Sequence, residues 1–134
     1  MGQRRRAREH ALQMLFQIDV TGASPGEVFQ EFWRDQAGAA ERAFAEQLVL
    51  GVRRDLPELD RRIGEAAEHW RIERMAVVDR NVLRMALHEL LADPETPPAV
   101  VLSEAVEVAK KFGGAESGAF VNGVLDAIRR KLEA

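Results

Sequence analysis

Phe120-Val-Asn-Gly-Val-Leu-Asp126 places apolar residues at 120, 121, 124 and 125, and the pattern continues to Ile128 and Leu132. That is the spacing of one face of an α-helix, not the alternation of a strand. The same period organises the rest of the chain. Working back, Lys110-Lys-Phe-Gly-Gly114 reads as the end of a sixth helix, with cations in the last turn and glycine after it. Ser103 is the expected cap of that helix and Ser117 the expected cap of the seventh. Pro94, Pro97 and Pro98 form a stiff connection behind a long fifth helix, from about Ile72 to Leu91. Pro57 opens a fourth helix carrying Leu59, Ile63 and Ala67. A third runs from about Ala40 to Arg54 with Phe44, Leu48 and Val52 in phase. Ser24-Pro25 is a cap followed by proline at the first helical position, so a second helix runs to about Arg34. It is expected to bury Val28, Phe29 and Phe32 or Trp33. The first runs from about Arg4 to Val20, with Ala7, Ala11, Met14, Leu15 and Ile18 on one face. Only Ala99-Val-Val-Leu102 is β-like, too short to define a sheet. The expected fold class is all-α, about seven helices in one domain over residues 1–134.

The 134 residues include no cysteine, which excludes a disulfide framework and a cysteine-based zinc site. His10, His69 and His88 are dispersed, without metal-ligand spacing. No phosphate loop, dinucleotide fingerprint or nucleophile elbow occurs, so no enzyme, cofactor or metal is expected. No apolar run reaches membrane-spanning length. Glu9, His10, Gln13, Gln17 and Asp19 interrupt the stretch that a signal peptide would keep apolar. A cytoplasmic protein is expected.

The charge is unevenly distributed. Net charge is −3, yet Arg4, Arg5, Arg6 and Arg8 precede every acidic residue, and the remainder carries 15 basic against 22 acidic side chains. Arginines in the first turn oppose the helix dipole, at about 0.3–1 kcal/mol each. They also fan around the helix instead of forming one solvated stripe. Such a cluster is easiest to explain if an anion neutralises it, and arginine suits phosphates and bases. RNA or another polyanion is therefore favoured over a frayed, solvated terminus. Lys110, Lys111 and Phe112, with Phe120 nearby in sequence, interleave cations and aromatics in the manner of single-strand binding. A core role for Phe120 is the competing reading. Asn122 can reach outward to a base edge or back to the backbone. Gly123 suggests close helix packing. Asp79 shares the apolar arc of Val82, Leu83, Ala86 and Leu90, so it needs a partner. Spacing alone favours an internal arginine; another protein is the alternative. Glu89, near the same arc, reads as structural.

Four segments resemble the NusB family of bacterial transcription antitermination factors. They are RRRAREHALQMLFQID (4–19), AERAFAEQLVLGV (40–52), HWRIERMAVVDRNVLRMALHEL (69–90) and VVLSEAVEVAKKFGGAESGAFVNGVLDAI (100–128). FVNGVLD and VDRNVLRMALHEL are the most specific parts. The resemblance implies two angled helical bundles, helices one to three (about 4–54) and four to seven (about 57–132). It implies binding of boxA RNA in nascent ribosomal RNA transcripts, together with NusE, a small-subunit ribosomal protein. That assembly joins RNA polymerase and other Nus factors and suppresses termination. It further implies that Arg4, Arg5, Arg6 and Arg8, with Lys110, Lys111, Phe112 and Phe120, form the RNA surface, and that Asp79 meets NusE. Ser103 stands where the family usually has Asn, and His88 where Tyr is common. The family module also precedes methyltransferase domains, for which this length leaves no room. The rival expectation is a protein-interaction or homodimerisation module that buries the arginine face and has no RNA role.

Overall fold

The structure is a computed structural model and describes residues 2–34 and 39–133. Within them lie seven α-helices and no strand: α1 (Gly2–Thr21), α2 (Pro25–Phe32), α3 (Ala39–Arg54), α4 (Leu56–Ala66), α5 (Val77–Ala92), α6 (Pro98–Gly113) and α7 (Ala115–Glu133). A single 3₁₀ turn, Ile72–Arg74, precedes α5. α1 packs on α2 and α3, and α4 to α7 pack on one another. α5 touches α1, α3, α4, α6 and α7, so it joins the two groups. Its sequence suits that position. Val82, Leu83, Met85, Ala86 and Leu87 are buried around most of its circumference, as expected of a helix enclosed by others.

The core contains the faces the periodicity marks. Ala7, Ala11, Met14, Leu15 and Ile18 of α1 are buried, as are Leu59 and Ile63 of α4 and Val121, Val124, Leu125 and Ile128 of α7. Ser24 caps α2 as expected. Its hydroxyl accepts from the Glu27 amide, and the Glu27 carboxylate accepts from the Ser24 amide, a reciprocal capping box.

Three element boundaries differ from expectation. The fifth helix does not begin at Ile72: Met75 and Ala76 are extended, and the break buries Met75 before α5 starts at Val77. α6 begins at Pro98, not after Ser103. Proline at the first position pre-sets the helical φ, and Val101 and Leu102 pack inward, so the β-like tetrapeptide is helical. Ser117 is not a cap but lies inside α7, where its hydroxyl donates to the Gly113 carbonyl (3.1 Å). Gly114 alone joins α6 to α7, at φ +89°, a region that favours glycine.

Two ionic clusters hold α1 to the centre. The Arg8 guanidinium donates twice to Glu89 of α5 (2.7 and 2.8 Å), and both residues are only 4% exposed. At the other end, Asp19 accepts from Arg80 (2.7 and 2.8 Å), Asn81 (2.9 Å) and Arg84 (3.2 Å) of α5. Arg84 also donates to Asp60 of α4 (2.8 and 3.0 Å). Burial pushes the Asp19 carboxyl up, but its hydrogen bonds from Arg80 and Asn81 outweigh this and hold it below the usual carboxylate range.

His88 of α5 presses against Gly51 of α3, where a Cβ would collide with the imidazole. Burial, aided by Arg54, lowers the His88 pKa. A histidine with a folded pKa below its unfolded one contributes stability above about pH 6.5 that is lost as pH falls through the folded value. Asp19, also lowered, follows the same sign at lower pH. The melting temperature should therefore fall in two steps on acidification, one beginning near pH 6.5 and one below about pH 4. In thermal melts across pH 3–8, His88→Gln should remove the first step and leave the second.

Candidate nucleic-acid interface

The arginines at the start of α1 are neutralised, but by this chain's own carboxylates. Arg5 donates through two nitrogens to Glu104 of α6, both at 2.7 Å. Arg6 donates twice to Glu41 of α3 (2.8 and 3.0 Å). Arg4 lies 4.6 Å above the Phe44 ring and 3.8 Å from Asp93. The Arg5 hydrogen bonds hold the Glu104 carboxyl below its ordinary pKa despite some burial, and Arg6 does the same to Glu41. The fan of charges that looked unexplained in the sequence is thus three helices' worth of ion pairs.

Burial divides the four. Arg4, Arg5 and Arg6 remain partly open to solvent, whereas Arg8 does not. Exposed ion pairs contribute little, so an RNA phosphate can take the place of Glu41 or Asp93 at small cost. Arg8 cannot leave Glu89 without stranding a buried charge. Arg8, expected at a phosphate, is instead held in this structure in a buried pair with Glu89 that ties α1 to α5.

The second group of candidates lies along the seam of α1 and α6. Lys111 donates to Glu9 (2.9 Å) and sits 5.8 Å from the Phe112 ring centre. Phe112 lines a groove with Leu12, Gln13, Phe16, Gln17 and Val78. Arg5, Lys111 and Phe112 therefore follow one another beside α1, a strip of cations ending in an aromatic groove. Phe16 was missed in the sequence. It is half exposed and off the apolar stripe of α1, which was the available signal. Gln13 and Gln17 add amides able to pair with base edges. The stem of Lys110 lies over Gly118, which makes Gly118 the closely packed glycine. Gly123, where close packing was expected, has open space around it.

Phe120 and Asn122 separate from this strip. Asn122 is exposed two residues after Phe120, about 200° around the helix. Phe120 meets Trp70 edge to face, with ring centres 5.6 Å apart. Both open onto a different cleft, which Asp79 also lines. Asp79 is 9% exposed, and its Oδ1 has no hydrogen-bond partner among the described residues. The internal arginine favoured by spacing is not there, because Arg80 and Arg84 turn to Asp19 and Asp60.

The sequence profile of the NusB family matches residues 5–130. The chain belongs to the NusB family. A transcription antitermination protein NusB from Sorangium cellulosum (strain So ce56) is 53% identical over 133 residues, covering 98% of this chain and 95% of that one. One from Koribacter versatilis (strain Ellin345) is 46% identical over 135 residues, covering 99% and 92%. The fold is also that of solved NusB structures. Antitermination factors NusB and NusE in complex with double-stranded RNA include a chain that superposes with a TM-score of 0.88 at 33% identity, covering 98% of each chain. NusB of T. maritima superposes with a TM-score of 0.86 at 34% identity, covering 98% of this chain and 97% of that one.

The split between Arg8 and its neighbours is testable by denaturation. Arg8→Ala should destabilise the chain by about 3–5 kcal/mol, because Glu89 is left buried without a partner. Arg6→Ala should leave the urea midpoint within error of the parent. Equal midpoints for both variants would contradict the structural role of Arg8.

Proposed function

We propose that this chain is an RNA-binding transcription antitermination factor that binds boxA RNA of nascent ribosomal RNA transcripts together with NusE. With other Nus factors it helps RNA polymerase pass terminators. It works by binding, not catalysis, in the cytoplasm, and residues 1–134 act as one NusB-like domain. Family membership supports the reading, as does likeness to a NusB solved with NusE and RNA. No helix among the described residues is long and apolar enough to cross a membrane.

The observation that carries it is the strip along α1 and α6. Arg4 and Arg6 would contact phosphates by exchanging Asp93 and Glu41, and Arg5 from the side it leaves open while bonded to the part-buried Glu104. Lys110 and Lys111 would extend the track, and Phe112 with Phe16 would stack a base in the groove. Asp79 would face NusE. Val78 lines the groove and Asp79 the cleft, so consecutive residues of α5 serve two partners without overlap.

The acidic body opposes RNA, so the chain alone should bind weakly, with Kd on the order of 10⁻⁶ M or poorer at physiological salt. Replacing Arg4, Arg5 and Arg6 together with alanine should weaken binding and flatten the salt dependence by about 0.7 log units per lost contact. NusE should tighten RNA binding, and RNA should tighten NusE binding by the same factor, about 1–3 kcal/mol of coupling. Titrating labelled boxA RNA at several NusE and salt concentrations measures all three. An unchanged salt slope in the triple variant, or competition between RNA and NusE, would contradict the assignment.

A further inference from the structure

Glu41 of α3 faces two side chains of α1, and the RNA track uses only one of them. Arg6 donates to its Oε1 through both Nε (3.0 Å) and Nη2 (2.8 Å). Its Oε2 lies 3.8 Å from Nε2 of His10, one turn further along α1. The Glu41 side chain is only 15% exposed. Aromatic rings hold His10 in this place. Phe32 and Trp33, at the end of α2, meet it edge to face with ring centres 5.3 and 5.4 Å away. Its Nδ1 is buried and has no hydrogen-bond partner among the described residues. A neutral imidazole carries one N–H, so the polar edge of this ring is Nε2, and Glu41 is the acceptor it faces. The other charged groups around the ring have partners of their own. Glu9 of α1 accepts from Lys111, Arg42 of α3 lies over the Trp33 ring and bonds to Glu46, and Glu31 of α2 pairs with Arg34.

We propose that His10 is a positioning residue for RNA: it takes up a proton as Arg6 turns to a phosphate, and the imidazolium then holds Glu41 in place of Arg6. While Arg6 stays on Glu41 the pair is neutral, and a charge on the imidazole would meet the like charge of the guanidinium. Once Arg6 leaves, Glu41 is a largely buried carboxylate without its cation, which is costly. A carboxylate so placed favours the charged form of a histidine beside it, and the aromatic rings around His10 suit a cation. The inference rests on Arg6 contacting RNA, and it adds that this contact is linked to a proton. The bound state then carries more protons than the free state. RNA affinity therefore rises as pH falls through the histidine range, by at most about tenfold per pH unit for one proton.

The test uses the full chain and labelled boxA RNA at fixed salt. Between pH 8 and pH 6 the affinity of the parent should rise by about three- to tenfold. His10→Phe, which keeps a ring against Phe32 and Trp33, should lose that rise and bind at every pH as the parent does at pH 8. Glu41→Gln should lose it as well, and should bind more tightly than the parent at pH 8 because Arg6 is no longer held. Glu41→Gln changes a single solvent-touching carboxylate, so it carries the test even if His10→Phe fails to fold. A charged His10 that merely attracted RNA would keep its pH dependence in Glu41→Gln, and that result would overturn the proposal. A rise that persists in folded His10→Phe would assign the proton to another group and overturn it too. If the parent binds RNA equally at pH 8 and pH 6, the role of His10 is wrong while RNA recognition stands. If the parent does not bind the RNA at any pH, the RNA reading falls and the role of His10 with it.

Discussion

The buried pairing of Arg8 with Glu89 fixes the helix that carries the arginines proposed to touch RNA. α1 carries the arginines at its first turn, where the helix dipole works against them. Packing of Ala7, Ala11, Met14, Leu15 and Ile18 fixes which face of α1 points inward. Hydrophobic contacts are non-directional, so they tolerate small slides along the axis. Two parallel hydrogen bonds between a guanidinium and a carboxylate do not. With Asp19 held by Arg80 and Arg84 about three turns further along, α1 is tied at two separate points to the central helix.

That attachment also explains how an acidic protein keeps a basic edge. Glu41 of α3, Glu104 of α6 and Asp93, just past the end of α5, hold Arg6, Arg5 and Arg4 in place. The arm is therefore held in place by the fold itself, through solvent-exposed pairs at Arg4 and Arg6 and a part-buried one at Arg5. A free arginine arm would have to be ordered on binding. Here most of that ordering is already in the fold.

The two surfaces meet at the start of α5. Val78 faces the α1–α6 groove and Asp79 the cleft beside α7, while Gly113 and Gly114 bring α6 and α7 together at the same place. Residues adjacent in a helix diverge by about 100°. One rigid element can thus present two differently lined surfaces, an aromatic groove and an acid-floored cleft, to the two partners proposed for them. Coupling between the partners needs no large rearrangement when both rest on the same turn.

The sequence by itself determined the helices, the inward faces and the family. Those follow from periodicity, capping and motif, which are local: Ser24-Pro25 with Glu27 is a cap wherever it lies, and the stripe at 121, 124, 125 and 128 needs a core. It also marked Arg4 to Arg8 and Asp79 as residues that ordinary helix rules do not explain. Only the tertiary structure decided what answers them. Arg8 and Arg5 read alike in the chain, yet one is buried on a partner 81 residues away and the other sits at the rim. Asp79 appeared to need an arginine, and two arginines follow it in α5, but helical twist turns both toward Asp19 and Asp60. Phe112 and Phe120 looked like one aromatic pair, and a single glycine hinge sends them to different clefts. Partnership over such distances depends on how helices cross, and no local pattern encodes that angle.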